Sequence, residues 1–389
     1  MSLRRSVLIF SCFLTLALWV SIFSQEAHAG EPLFQTPARQ ATMVDYDTGT
    51  VLFEKNADER MPTSSMSKVM TMYLVFEALR EGRLTLDTTL PVSEKAWRMQ
   101  GSKMFVPVGE QIKVEDLIRG VIVQSGNDAT IVLAEGLAGS EDDFSEAMNI
   151  RARDIGMSAS HFANASGWPD PDHYSTARDL ATLGKRLIRD FPDFYHYYSE
   201  TEFTFHNIRQ GNRNPLLYRN IGADGIKTGY TRDAGYGLMA SGERNGRRVV
   251  LVVNGLDSVQ QRASESARLM EWGLRSFVNV DLFAAGDTIE AAQVVIGTVS
   301  AVPLTIRDDL AITVPSTLRN ALKVEAVFNE PLMAPVKKGQ EIGMLYIDIP
   351  RAPNLEVPLL AAENVNRLGF FSGTLARAKL LLTSGMPGS

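Results

Sequence analysis

Apolar positions recur along this chain with two periods, and each predicts a different element. Ala41-Thr42-Met43-Val44-Asp45-Tyr46 and Val51-Leu52-Phe53-Glu54 flank Asp47-Thr48-Gly49-Thr50, the pattern of a β-hairpin with a glycine-containing turn. A run that is apolar nearly all round follows, with Val69, Met70, Met72, Tyr73, Leu74, Val75, Phe76 and Leu79, and Gly82 stops it. A helix with so little polar face belongs in a domain's interior. Between 91 and 111 the pattern breaks. Gly101-Ser102-Lys103 and Pro107-Val108-Gly109 mark a long irregular connection, the kind of segment that forms functional lids. Val114, Leu117, Ile118, Val121 and Ile122 then fall at i, i+3, i+4, i+7 and i+8, an amphipathic helix that halts at Ser125-Gly126-Asn127. A second helix is expected from Asp128 through Leu137.

Residues 143 to 190 read as helical at both ends, around the loop Phe162-Ala163-Asn164-Ala165-Ser166-Gly167-Trp168-Pro169, with Ser175 as the N-cap of the last helix. Thr201 to Phe205 alternates as a strand, Asn212-Arg213-Asn214-Pro215 turns, and Ile226-Lys227-Thr228-Gly229-Tyr230 follows. Gly237 to Ser241 and Arg248 to Val253 form a hairpin around Asn245-Gly246, and a long helix runs from about Ser258 to Phe277. Strands at both ends with helices between predict an α+β domain over 30–285, an antiparallel sheet with a helical cluster. Past Ala284-Ala285-Gly286 short apolar runs recur between turn residues, predicting a small all-β domain over 286–362 without a catalytic cluster. The tail, 363–389, has Phe370, Phe371, Leu375 and Leu380 beside Arg367, Arg377 and Lys379. It can be drawn as a basic amphipathic helix, either lying on a membrane surface or docked on the β domain.

At 389 residues, 45% hydrophobic and 22% charged, the chain has room for these two domains. Its first 29 residues are a separate matter. Arg4 and Arg5 precede an apolar run from Val7 to Phe23, and Ala27-His28-Ala29 supplies a small-x-small site. That is the pattern of a cleaved secretory signal, with an uncleaved anchor as the other reading. Cleavage takes the net charge from −6 to −7, because the segment carries Arg4, Arg5 and Glu26. A mildly acidic chain gives no reason to expect nucleic acid as a partner. Cys12, the only cysteine, lies in the signal, so the exported chain has no disulfide, Cys-ligated metal or thiol nucleophile. Five scattered His set no metal-ligand spacing, and no cofactor is expected.

Ser65 and Lys68 are three apart at the opening of the apolar helix. In a first helical turn that spacing puts hydroxyl and amine on one face, where the amine can take the hydroxyl's proton. With 28 Ser and 11 Lys in the chain, roughly 0.8 such strings arise by chance, so on this string alone a helix cap with a surface lysine is the first reading. Ser125 and Asn127 occupy the turn between two core helices, where they project into a cleft or Asn127 merely caps the second helix. Lys227-Thr228-Gly229 is rarer, expected roughly 0.05 times. Ser-x-x-Lys, Ser-x-Asn and Lys-Thr-Gly in this order form the set found in serine β-lactamases and penicillin-binding proteins.

On those motifs the chain resembles the low-molecular-mass penicillin-binding proteins, serine-type D-alanyl-D-alanine carboxypeptidases of the penicillin-binding protein 5/6 type. The likeness takes in Asp224-Gly225-Ile226, Ser175 to Asp179, the signal, the β domain and the tail. It implies a β-lactamase/transpeptidase-like catalytic domain, peptidoglycan pentapeptide as substrate, β-lactams as inhibitors, and residence in the periplasm on the outer face of the inner membrane. It also implies roles: Ser65 as nucleophile, Lys68 as base, neutral through burial and the nearby Lys227, Ser125 as proton relay, and Asn127 as orienter. Lys227, Thr228, Gly229 and Arg213 hold the substrate carboxylate, and the N–H groups of Ser65 and Tyr230 form the oxyanion hole. Tyr230 departs from the His that close relatives carry there, which touches rate and specificity. Rival readings are a DD-endopeptidase, a β-lactamase, against which no Glu-x-x-Leu-Asn string occurs between Asn127 and Lys227, and a weakly catalytic wall-binding scaffold.

Overall fold

The computed structural model describes residues 34–349 and 354–369, so the expected export signal and the tail from 370 onward lie outside the described residues. The chain divides into two compact units, Phe34–Val278 and the residues from Asn279. The break falls ahead of the expected 285/286 boundary because the strand Phe277–Phe283 pairs with Leu310–Pro315 of the second unit.

The first unit is built on a five-stranded antiparallel sheet. In spatial order its strands are Val51–Lys55, Gln40–Asp45, Arg247–Leu256, Gly235–Arg244 and Ala223–Thr231. The first hairpin turn is held by Asp45, whose carboxylate accepts from the N–H groups of Asp47 and Thr48 at 3.1 and 3.0 Å. Asn245 and Gly246 both take positive φ, 53° and 76°, as a two-residue hairpin turn matching the strand twist requires. Helix Ala177–Asp190 packs on one face of the sheet and Val259–Ser276 on the other. Thr176 caps the former, its hydroxyl accepting from Asp179 N–H at 3.0 Å. The expected cap, Ser175, is one residue early. Its backbone is committed to a bridge with Met61 and its hydroxyl to Ser160.

The apolar-all-round run forms helix Lys68–Arg80, buried from Lys68 to Ala78 and surrounded by helices Val114–Ile122, Asn127–Ala138, Glu141–Asp154 and Ala177–Asp190. All five apolar positions predicted for Val114–Ile122 are buried at 1% exposure or less. Residues 91–111 are more ordered than their sequence pattern implied. Strands Thr89–Pro91 and Gln111–Lys113 pair and close the segment, and a short helix, Glu94–Arg98, starts from Ser93, whose hydroxyl accepts from Ala96 N–H. The alternating pattern there was too brief to show in a window of sequence.

In the second unit the apolar runs at 293–296, 302–306, 324–328 and 342–347 overlap strands Glu290–Val295, Ala301–Thr305, Lys323–Phe328 and Glu341–Asp348. They belong to one six-stranded sheet.

Candidate active site

Ser65 does not sit in an α-helical turn. It lies in a 3-10 turn, Ser64–Ser67, directly ahead of helix Lys68–Arg80. Side chains three apart eclipse in that geometry, so the tighter turn brings Ser65 and Lys68 together more strictly than the expected helix would. Lys68 Nζ stands 2.8 Å from Ser65 Oγ. It also donates to Asn127 Oδ1 and to the backbone carbonyl of Ser166, each at 2.7 Å. A neutral amine has two N–H groups and one lone pair. Two carbonyl partners use the former, and the lone pair faces the serine hydroxyl. Burial, with repulsion from the Arg213 guanidinium, lowers Lys68 from 10.5 to about 7, against the opposing pull of the Asp128 carboxylate. Arg213 is thus an assisting cation beside the expected Lys227, whose repulsion with Lys68 is mutual.

Ser125 forms the second wall. It is buried, with φ of 60°, and this left-handed turn separates two core helices while aiming the side chain inward. Lys227 Nζ donates to its hydroxyl at 2.9 Å and to Thr228 O at 3.3 Å. Lys227 is held well below the usual lysine value by burial first, then by the charges of Lys68 and Arg213. The two open readings of Asn127 are decided by its contacts. Gly126 takes the N-cap place, and the Asn127 amide bridges Lys68 and the Gln100 carbonyl, to which it donates at 2.7 Å.

The third wall is Ala223–Thr231, an edge strand with one row of backbone groups free of the sheet. It runs against the nucleophile turn so closely that a Cβ on Gly229 would meet Thr63 O at 2.9 Å. Thr228 is buried, whereas Tyr230 is exposed, its ring stacked on Tyr236 at 4.2 Å. Arg213 is exposed on the cleft and donates to the Ser102 hydroxyl. The following residue, Asn214, fixes that arginine's position. Its amide donates to Gly225 O at 2.7 Å and its carbonyl oxygen accepts from Leu216 N–H at 3.0 Å.

A cleft of about 400 Å³ joins Ser65, Asn127, Ser166, Arg213 and Tyr230. A lobe of about 640 Å³, floored by Thr63, His173 and Tyr174, continues it past Ser64 and Thr231. Every residue expected at the site is thus within one region. Sequence reasoning missed three contributors. The Ser166 carbonyl ligates Lys68. Gly167, with φ of 75°, lets that loop pass where a Cβ would lie 1.8 Å from Ser64 O. Buried Asp128 accepts from the N–H groups of Met104, Phe105 and Val106 at 2.9, 2.8 and 3.2 Å, anchoring the loop that carries Ser102. A carboxylate beside Ser-x-Asn, ahead of the apolar run Ile131 to Ala134, was the one available signal. Among the described residues, no group of three or more His, Cys, Asp or Glu could hold a metal ion.

Comparison with known proteins agrees with this geometry. The D-alanyl-D-alanine carboxypeptidase family, peptidase S11, matches residues 25–258, and the penicillin-binding protein 5 C-terminal domain matches 277–367. The D-alanyl-D-alanine carboxypeptidase DacC of Escherichia coli K12 is 39% identical over 381 residues, covering 95% of this chain and 94% of that one. Penicillin-binding protein 5 of Haemophilus influenzae superposes with a TM-score of 0.79 at 36% identity, over 87% of this chain and all of that one. Penicillin-binding protein D2 of Listeria monocytogenes, solved in its ampicillin-bound form, superposes at 0.58 with 32% identity over 62% of this chain and 99% of that one. With both halves matched and the motifs brought into one cleft, the chain belongs to the D-alanyl-D-alanine carboxypeptidase family of serine peptidases and carries the penicillin-binding protein fold with its C-terminal β domain.

Proposed function

We propose that this enzyme removes the terminal D-alanine from peptidoglycan pentapeptide stems through an acyl-enzyme on Ser65. The observation that carries the reading is the Lys68 amine, buried, held by two carbonyls and 2.8 Å from the Ser65 hydroxyl, toward which its lone pair is left free once the amine is neutral. Ser65 Oγ attacks the carbonyl carbon between the two D-alanines while its proton passes to Lys68. The oxyanion is received by the N–H groups of Ser65 and Tyr230, the latter on the free side of the edge strand. As the C–N bond breaks, the proton that Lys68 accepted is relayed to the departing amine through Ser125, which gives up its own proton as it takes that one, with Lys227 holding the hydroxyl in place. Lys227, Thr228, Gly229 and Arg213 receive the substrate's C-terminal carboxylate, for which a forked guanidinium is suited. Water then cleaves the ester. A β-lactam follows the same first step, but its amine stays tethered and the ester persists.

The same proposal places the enzyme in the periplasm, peripheral on the outer face of the inner membrane. Support comes from the Arg4-Arg5, Val7–Phe23 and Ala27-His28-Ala29 pattern and from the basic amphipathic tail. Cell fractionation with and without residues 370–389 tests it.

For the chemistry, purified protein and its Ser65→Ala variant are incubated with a labelled penicillin, with a D-Ala-D-Ala peptide and with a cross-linked peptide dimer. A lasting adduct on Ser65 with release of free D-alanine is expected. Rapid penicillin turnover indicates a β-lactamase, cleavage of cross-linked dimers alone an endopeptidase, and adduct without cleavage of either peptide a scaffold.

A further inference from the structure

Behind the nucleophile turn lies a buried histidine that the mechanism above does not use. His173 is 4% exposed. Its Nδ1 accepts from Ala163 N–H at 3.2 Å, so the ring proton sits on Nε2, which donates to Ser67 Oγ at 2.6 Å. Ser67 in turn donates to Thr63 Oγ1, a very short contact that closes the chain of hydrogen bonds across the base of the 3-10 turn. Burial lowers His173 from 6.5 to about 4, despite nearby Asp170, so the imidazole is neutral wherever Lys68 is available as a base. His161 and Lys68 reinforce that shift.

The loop that holds His173 also holds Ser166, whose carbonyl is a partner of Lys68. Residues 166–173 therefore grip the nucleophile turn at two adjacent points, Ser67 and Lys68. Between them Gly167 passes so close that its missing Cβ would lie 1.8 Å from Ser64 O and 3.2 Å from Ser67 Oγ. A loop tied at one point can swing on the other. Tied at both, it fixes where the carbonyl stands and keeps water from the lysine.

We propose that His173 is a positioning residue for acylation: its Nε2–H, through Ser67, locks the 166–173 loop onto the Ser65–Lys68 turn. This rests on Ser65 being the acylated residue. Losing the bond lets the loop lift and admits water around Nζ. Because desolvation is the largest cause of the depressed Lys68 value, Lys68 then moves back up toward 10.5. Arg213, Asp128 and Lys227, the other charged groups coupled to Lys68, lie outside the 166–173 loop.

The test is the second-order rate of acylation of the full chain by a labelled penicillin, followed across pH 5 to 10, for His173→Phe, His173→Asn, His173→Gln and Ser67→Ala. Phenylalanine keeps the ring that packs edge-on against Phe162, asparagine reproduces only the acceptor for Ala163, and glutamine reproduces the donor to Ser67. Expected for His173→Phe, His173→Asn and Ser67→Ala is a loss of roughly tenfold at pH 7, with the acid limb of the profile moved to higher pH. His173→Gln should stay within about threefold of the parent, limb unmoved. The proposal is overturned if folded His173→Phe, or Ser67→Ala should the histidine variants fail to fold, keeps the parent rate and limb. It is also overturned if His173→Gln is as slow as His173→Phe. Failure of the parent chain itself to acylate would instead remove the underlying reading of Ser65.

Discussion

The two units differ most in what they bury. In the second unit, Thr313 alone among the described residues is a buried polar side chain, and it bonds Asn279 at 2.8 Å. The first unit buries Lys68, Lys227, Ser125, Asn127, Asp128 and His173 in one neighbourhood. Two lysines without a carboxylate partner are costly to bury, and a serine in the left-handed region adds strain. A core assembled only for stability would contain neither. Where pattern, propensity and packing agree, the chain is scaffold; where they conflict around reactive groups, it is the site.

Removing the nucleophile should expose this contrast most fully. Ser65→Ala is expected to reduce D-alanine release by at least on the order of 10⁴-fold and to abolish the penicillin adduct, read by intact mass. Its thermal midpoint should scarcely move, because the side chain is only half-buried and its one partner, Lys68, retains both carbonyls.

Lys68→Met separates the two consequences of burying an amine. Losing the base should slow acylation by roughly 10²- to 10⁴-fold, while the apolar replacement makes the fold more stable. The pH dependence has a definite sign. Lys68 titrates near 7 when folded and near 10.5 when unfolded, so between those values the unfolded chain binds the extra proton. Wild-type stability therefore rises with pH across that window. The penalty is complete below pH 7 and gone above 10.5, on the order of 5 kcal/mol in all. Lys227 acts in the same direction in both proteins. The stability gap between variant and parent should thus narrow from pH 7 to 10.5, measured by denaturant unfolding. Acylation by the parent should rise through pH 7 as Lys68 loses its proton.

A smaller effect tests the rim of the cleft. Arg213→Gln should raise KM for a D-Ala-D-Ala peptide by roughly 10- to 100-fold, with less change in kcat. A peptide whose C-terminus is amidated should lose little further when the arginine is replaced. Equal losses on both peptides would detach Arg213 from the carboxylate.

The residues that emerge from the sequence are those whose side chains do the chemistry. Ser65, Lys68, Ser125, Asn127 and Lys227 stand in strings that chance seldom supplies together, and the structure brings them into one cleft. The helix Val114–Ile122 and the Asn245-Gly246 hairpin were legible for a similar reason, since their period or turn residues are local. What stayed hidden acts through the backbone or across long separations. The Ser166 carbonyl has no side-chain signature, and its contact with Lys68 spans 98 positions. His173 meets Ser67 across 106 positions, and a single histidine in a loop carries no period. The 3-10 geometry of the nucleophile turn was equally invisible, because i and i+3 fall on one face in either kind of helix.

The gentlest test acts on the other unit. Leu345 is fully buried in strand Glu341–Asp348, opposite Val357 and Ala326, in one of the apolar runs that mark the β domain. Leu345→Ala removes buried methyl groups from a sheet core and should cost about 2–5 kcal/mol in that unit's stability. Because no site residue lies beyond Val278, the acylation rate should change less than twofold at 25 °C. Calorimetry and penicillin labelling on the same preparation read both quantities. A stability loss with acylation intact confines the chemistry to the unit that buries its amines. A parallel loss in acylation would mean that the β unit holds the cleft's geometry, and the contrast between a consistent scaffold and a conflicted site would no longer follow the division at Val278.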